Sequence, residues 1–296
     1  MSTTPRSRQQ RRTPLAPRKK RGATQLEQAG EGKRLFEGPE EDTPEPCVVS
    51  EPIKRAYAIV RRSSNGLGET GGAIYGEVTA SSFQRVVDAM GLEPTSIFLD
   101  VGSGLGKPNF HAALHAGCAS FGVELEEVRW QLATFNLMQM HAAGFGGGVY
   151  FLHGDITAAY SLDPFSHVYM FDVGFPPTLL ETLADLFNRS QARVLASFQK
   201  NLDENYGFDV VLRRKIQTSM HGSTEKHACF VYDRHLRASP VSPDPLFVEG
   251  LEKLREPKEL QCKDAADRLD ASHSKPRRPR SARKTDPYLT PPRRII

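Results

Sequence analysis

From residue 79 onward the chain alternates between two hydrophobic periods. Phe83, Val86, Val87 and Met90 recur at helical spacing, with Thr79 or Ser81 placed to cap the start and Gly91 to stop it. Ile97, Phe98 and Leu99 form a short apolar run that fits a strand buried on both faces. Pro108 suits the first turn of a helix reaching Ala116, and Gly117 ends it. A strand over 120–124 follows, then a helix over 127–143 whose apolar face is read as Val128, Leu132, Phe135, Met138 and Ala142. Trp130 falls off that stripe and is expected to pack against the helix over 79–90.

Strands are further predicted over 149–152, 167–171 and 193–198, with a helix over 176–188 before the last of them. Strands alternating with helices predict a parallel sheet. The last two strands, over 208–216 and 226–232, are separated only by a short Gly-containing loop and predict a terminal antiparallel hairpin. After Arg234 the periodicity fades, apart from a short helix over 245–254. The fold class is therefore α/β, a seven-stranded and mostly parallel sheet of Rossmann-like type. Such a sheet, ending in an antiparallel hairpin, resembles that of the class I methyltransferases. No internal repeat interrupts it.

The break after Leu99 carries the candidate chemistry. Asp100-Val101-Gly102-Ser103-Gly104-Leu105-Gly106-Lys107 places three alternate glycines at the end of a strand, where the backbone can turn tightly and approach a ligand. Dinucleotide folds prefer G-x-G-x-x-G, and a phosphate-binding loop needs G-x-x-x-x-G-K followed by Ser or Thr. Val101 and Pro108 break the second pattern. The remaining D-x-G-x-G-x-G resembles the first motif of S-adenosylmethionine-dependent methyltransferases. Glu124 closes the next strand about 20 residues on, where a carboxylate can bond ribose hydroxyls.

Charge divides the 296 residues into three parts. Residues 1–22 carry eight Lys or Arg and no acid, and residues 275–296 carry eight against Asp286 alone. With a total of +4, the remaining 252 residues hold −11, so a weakly basic chain is an acidic body with two cationic ends. Both ends are rich in Pro, Ser, Arg and Lys and too poor in large apolar residues to fold alone, so they are expected to be disordered. Such clusters read as nuclear-import or nucleic-acid contacts. The acidic run over 37–45 reads as a linker. The expected domains are a tail and linker over 1–50, a methyltransferase domain over 51–240 and a mostly disordered, basic extension over 241–296.

No apolar stretch is long enough to span a membrane, and the N-terminus lacks the apolar block of a signal peptide, so a soluble intracellular protein is expected. Cys47, Cys118, Cys229 and Cys262 form no C-x-x-C pair, and no metal-ligand cluster is visible. No metal is expected.

Four pieces in order carry a closer likeness: Tyr75-Gly76-Glu77, the glycine loop with Gly122-Val123-Glu124, Gly154-Asp155-Ile156, and Phe171-Asp172-Val173-Gly174-Phe175-Pro176-Pro177. Together they resemble the disruptor-of-telomeric-silencing family, the non-SET histone lysine methyltransferases, over residues 74–234, and the chain looks like a short protozoan branch of it. The resemblance implies S-adenosylmethionine as cofactor and a lysine in the globular core of histone H3 as acceptor. It further implies nucleosomes as partner, with DNA held by the basic tails, a nuclear location and a monomer. By this likeness Tyr75 and Glu77 close over the methionine end of the cofactor. Asp100, Gly102, Gly104 and Lys107 lie under it, Glu124 takes the ribose, and Asp155 with Ile156 takes the adenine.

Phe171, Asp172, Val173 and Phe175 would border the cofactor and shape the lysine channel, with Tyr75, Asp172 and Phe175 nearest the reaction. The chain departs from the family at Phe171-Asp172-Val173, where Asn-Asn-Phe is usual, at Lys107, where glutamine is common, and at Val78, where threonine is expected. Two other readings stand beside this one. A nucleic-acid methyltransferase on the same fold would usually carry an N-P-P-Y signature, absent here, and a non-catalytic chromatin-binding module need not keep the glycine loop and Glu124.

Overall fold

The structure is a computed structural model and describes residues 47–64, 77–145, 147–220, 224, 226–235 and 242–274. Among these, the elements in chain order are α1 (Glu51–Ser64), α2 (Ala80–Met90), β1 (Ile97–Val101), α3 (Lys107–Ala116), β2 (Ala119–Glu124), α4 (Glu127–Ala142) and β3 (Val149–His153). They continue through β4 (His167–Met170), α5 (Pro177–Arg189), β5 (Val194–Ser197), α6 (Leu202–Tyr206), β6 (Val210–Ser219), β7 (Lys226–Arg234), α7 (Pro245–Lys253) and α8 (Lys258–Ser274). The punctuation read from the sequence operates as expected. Thr79 Oγ1 accepts from Ser82 N at the start of α2, Gly91 ends that helix at φ 69°, and Gly117 ends α3 at φ 66°.

The seven strands form one sheet in the order β3-β2-β1-β4-β5-β7-β6. The first five run parallel, with Asp100 level with Gly122 on β2 and Tyr169 on β4. β7 runs antiparallel to β5, and β6 antiparallel to β7, which is the terminal hairpin. The seven-stranded methyltransferase sheet expected from the alternation of elements is therefore the one found. Between β1 and β4 the chain reverses the direction in which it lays down strands. Open α/β sheets bind their ligands at such a switch point, beyond the carboxyl ends of the strands.

Both faces of the sheet are covered, because successive strand residues point to opposite sides. Leu99 and Val101 join Leu180, Phe187 and Phe247 of α5 and α7 on one side. Phe98, Tyr169 and Ala196 meet Phe83, Val86 and Val87 of α2 on the other. A further cluster joins Ile59 and Val60 of α1, Phe110 of α3, Leu137 of α4 and Ala265 of α8. β3 ends the strand order, and the Phe151 carbonyl on it accepts from Trp130 Nε1 at 3.0 Å and Arg268 Nη1 at 2.7 Å. Side chains of α4 and α8 thus occupy an acceptor that an uncovered edge would offer to another chain.

Three expectations are corrected here. The face of α4 that packs inward is Trp130, Ala133, Leu137 and Met140, whereas Val128 and Phe135 are 45% and 43% exposed. Both stripes have helical spacing, so periodicity could not choose between them. The choice falls to partners: Trp130 finds the Phe151 carbonyl, and Asn136 Nδ2 donates to the Leu105 carbonyl at 3.2 Å. Trp130 accordingly sits with α1, not with the helix at 80–90. The region after 241, where only a short helix over 245–254 was expected, carries that helix as α7 and a second one, α8, with Phe247 and Ala265 buried against the body. Residues 1–46 and 275–296, to which the tail and most of the linker expectation refers, lie outside the described residues, as does Tyr75.

Candidate active site

Beyond the end of β1 the chain must turn from a buried strand into α3 within a few residues. Gly102, Gly104 and Gly106 do this at φ 78°, 54° and 85°, values that side-chain-bearing residues rarely adopt. Gly122, on the neighbouring strand, lets the loop lie against β2. A Cβ there would come 2.7 Å from Ser103 Cβ. Glu124 then fastens the loop from behind: its Oε2 accepts from Gly104 N at 2.8 Å and its Oε1 from Glu126 N at 2.9 Å. The acid closing β2 is buried and already holds the loop in shape.

A cavity opens over this loop. It gathers six of the expected site residues, Glu77, Asp100, Gly102, Gly104, Lys107 and Phe171. Lys107, which exposure at the mouth of a loop would have left hydrated, is 6% exposed and ion-paired to Glu77. Its ammonium also lies 5.8 Å from the centre of the Tyr57 ring.

Asp100 Oδ2 and Ser103 Oγ are buried in the wall of this cavity without a hydrogen-bond partner among the described residues. Burial, reinforced by the nearby Glu124, pushes the Asp100 carboxyl well above the usual carboxylate range. An unpaired buried polar atom costs roughly 1 to 3 kcal/mol, a cost that a bound ligand with matching groups removes. The cavity therefore fits a polar ligand lying across the glycine loop, as a nucleoside cofactor would.

The other expected residues are disposed differently. Phe175 is half-buried, and its ring lies against Gly102, so that a Cβ on that glycine would touch it at 3.4 Å. Asp155 is exposed and caps a short turn, accepting from Thr157 N at 2.9 Å and Thr157 Oγ1 at 2.7 Å, with Ile156 buried beside it. None of Phe175, Asp155, Ile156 and Glu124 lines the cavity over the loop.

Asp172, read as bordering the lysine channel, is not among the residues lining this cavity. It neither caps α5 nor faces the cavity: it is fully buried, and accepts from Ser197 Oγ at 2.5 Å and from Phe198 N at 2.7 Å, tying the end of β4 to the end of β5. Burial raises its carboxyl to about 6, against the opposing pull of those hydrogen bonds.

Other residues of the wall, Phe83, Tyr169, Ser103 and Tyr57 among them, were not read as site residues from the sequence. Phe83 and Tyr169 lie on elements that were correctly placed, and contact each other edge to face with centroids 5.0 Å apart. Ser103 stands inside the glycine motif itself, so its place in the loop was the available signal. Tyr57 comes from α1, a helix the apolar pattern did not reveal.

The strand order, the glycine loop at the switch point and the acid closing β2 define the methyltransferase type of doubly wound fold. Within it, residues 67–149, a little over a quarter of the chain, match the family model described as "Histone methylation protein DOT1". The resemblance to the disruptor-of-telomeric-silencing family is thereby borne out across the segment holding Glu77, the glycine loop and Glu124.

Curated relatives named "Histone-lysine N-methyltransferase, H3 lysine-79 specific" match in the same way. That of Yarrowia lipolytica is 33% identical over 69 residues, which is 23% of this chain and 14% of the relative. That of Candida albicans is 40% identical over 75 residues, 24% and 6% of the two chains. That of Emericella nidulans is 32% identical over 95 residues, 32% and 18%. The chain spans less than a fifth of the length of these relatives.

Among solved structures, an RNA methyltransferase from Salinibacter ruber in complex with S-adenosyl-L-homocysteine is 18% identical, with 54% of this chain and 95% of that chain covered at a TM-score of 0.41. TrmN from Thermus thermophilus is 18% identical, with 55% and 51% covered at 0.43. These distant likenesses add nothing to the strand order, on which the fold rests.

Proposed function

We propose that the chain binds S-adenosylmethionine over the glycine loop and transfers its methyl group to a lysine in the globular core of histone H3. The acceptor proposed is the lysine for which the fungal relatives are named. The observation that carries this reading is the cavity itself: Glu77, Gly102, Gly104 and Lys107, all inside the segment matching the family, meet there with the partnerless Asp100 Oδ2 and Ser103 Oγ. We further propose that the chain acts on nucleosomes, in the nucleus, as a monomer, with its basic ends on DNA.

The cofactor supplies, when bound, a methyl group made electrophilic by sulfonium sulfur. Asp100 and Ser103 would hold its polar groups, with Glu124 keeping the loop in the binding shape through Gly104 N. Phe83, Tyr169 and Phe171 form an apolar wall that excludes water. The acceptor presents its own difficulty. With a reference pKa of ~10.4, only about one lysine in a thousand is neutral near pH 7.5, a deficit of roughly 4 kcal/mol. Apolar surroundings such as Val173 and Phe175 disfavour the ammonium and lower that pKa. The chain thus contributes alignment and desolvation. Asp172 acts at one remove, by fixing the loop between β4 and α5.

Incubating the full chain with labelled cofactor and, separately, nucleosomes, free histones and RNA tests this. Label on H3 within nucleosomes is the expected result. Label on RNA, or on none of the three while the cofactor binds, overturns it.

A further inference from the structure

Tyr57 stands on α1, outside residues 67–149, yet its side chain lines the cavity over the glycine loop. It is held there by a chain of hydrogen bonds running inward from the surface of α2. Gln84 Nε2 donates to Asp88 Oδ1 at 3.0 Å, and Gln84 Oε1 lies 2.9 Å from His111 Nε2. His111 Nδ1 then lies 3.2 Å from the Tyr57 hydroxyl. One assignment satisfies all three contacts: the imidazole is neutral, donates from Nε2 to Gln84 and accepts at Nδ1 from Tyr57. His111 is fully buried, and burial pushes it down to about 3, which keeps it neutral. Packing of its ring edge to face on Phe83, with centroids 5.1 Å apart, fixes its orientation.

The aromatic face so positioned carries the Lys107 ammonium at 5.8 Å, within the range of a cation–π contact. Tyr57, Val78 and Lys107 also line a second cavity, with Lys54, Thr79 and Ala80. The tyrosine ring therefore borders two cavities, both of which Lys107 also lines. With the ring removed, the ammonium would be free to hydrate and swing into the second cavity.

We infer that Tyr57 is a positioning residue that acts through Lys107, holding its ammonium with Glu77 at the floor of the cofactor cavity. This rests on the cofactor reading above. It makes α1 part of the working site, although α1 lies beyond the segment that matches the family.

The test is a double-mutant cycle read by calorimetric affinity for S-adenosylmethionine, made on the full chain. Tyr57→Leu is expected to weaken binding about tenfold, and Tyr57→Phe, which keeps the ring, by less than about threefold. In a Lys107→Gln background the Tyr57→Leu effect should fall below about twofold, because the charge it positions is gone. A purely structural role predicts the same loss in both backgrounds, and that result overturns the inference. So does an unweakened Tyr57→Leu, or a Tyr57→Phe as weak as Tyr57→Leu. If Tyr57→Leu does not fold, Tyr57→Met, longer and more flexible and also without a π face, is measured in its place. Failure of the unsubstituted chain to bind the cofactor is a separate outcome, which overturns the cofactor reading and this inference with it.

Discussion

A carboxylate at Asp172 is costly where it stands. It is fully buried at the end of β4, where Ser197 Oγ and Phe198 N donate to its carboxyl oxygens. Those bonds favour the charged form but do not outweigh burial, so the folded chain holds the proton up to about pH 6, against an ordinary value of 3.8. Because the folded state binds the proton more tightly than the unfolded one, this group's contribution to stability is fully present below about pH 4. It is lost as pH rises to about 6. The shift corresponds to roughly 3 kcal/mol. Asp172→Asn retains an acceptor for Phe198 N and removes the titration. The melting temperature of the unsubstituted chain should therefore fall relative to the variant between pH 4 and 6, then run parallel to it above pH 7. A difference between the two that stays constant over this range would show that Asp172 is charged throughout. Asp100, also raised by burial, contributes with the same sign in both proteins and cancels in the comparison.

Among the elements, α4 tests most directly which face is structural. Trp130 is 7% exposed, donates to the Phe151 carbonyl and stacks on His153 with centroids 5.3 Å apart, while Phe135 on the opposite stripe is 43% exposed. Trp130→Ala should cost about 3 to 5 kcal/mol, the range for emptying an aromatic site in a core. Phe135→Ala should change stability by no more than about 1 kcal/mol. Equal losses in denaturant titration would reinstate the stripe read from the sequence. The central strands were legible because Gly and Pro mark their ends and the apolar runs between are unambiguous. α4 was misread because both of its faces carry apolar residues at the same period. α1 and α8 went unseen for the opposite reason: among the described residues α1 buries Ile53, Ala56, Ile59 and Val60 between polar ones, and α8 buries Gln261, Ala265 and Leu269 amid charged residues. The site divides similarly. The glycine loop and Glu124 announce themselves by spacing within one βαβ unit, whereas the orientation of Asp172 depends on Ser197 and Phe198, and Tyr57 reaches the cavity only because α1 packs on α3.

At the scale of the whole molecule the decisive feature is where the charge lies. Residues 23–274 carry −11, which repels the phosphates of nucleosomal DNA, while the two ends carry sixteen positive charges and one negative. If a nucleosome is the substrate, the ends must supply the attraction that the body opposes. Each lysine or arginine on a phosphate releases counterions and steepens the fall of affinity with salt by about 0.9 in a double-logarithmic plot. Deleting residues 1–22 and 275–296 should therefore both weaken nucleosome binding and flatten its salt dependence. The deletion stops at the end of α8 and leaves untouched every residue of the cavity over the glycine loop. Cofactor affinity, measured on the same truncated protein, should stay within about twofold of the full chain. Weakened nucleosome binding with unchanged cofactor affinity would place substrate attraction and methyl-donor binding on separate parts of the chain. If the truncated protein binds nucleosomes as tightly as the full chain from low to high salt, the contact lies on the folded body despite its charge. Val211, 42% exposed on β6, and the basic residues Arg213, Arg214 and Lys215 that follow it would then be the first surface to alter.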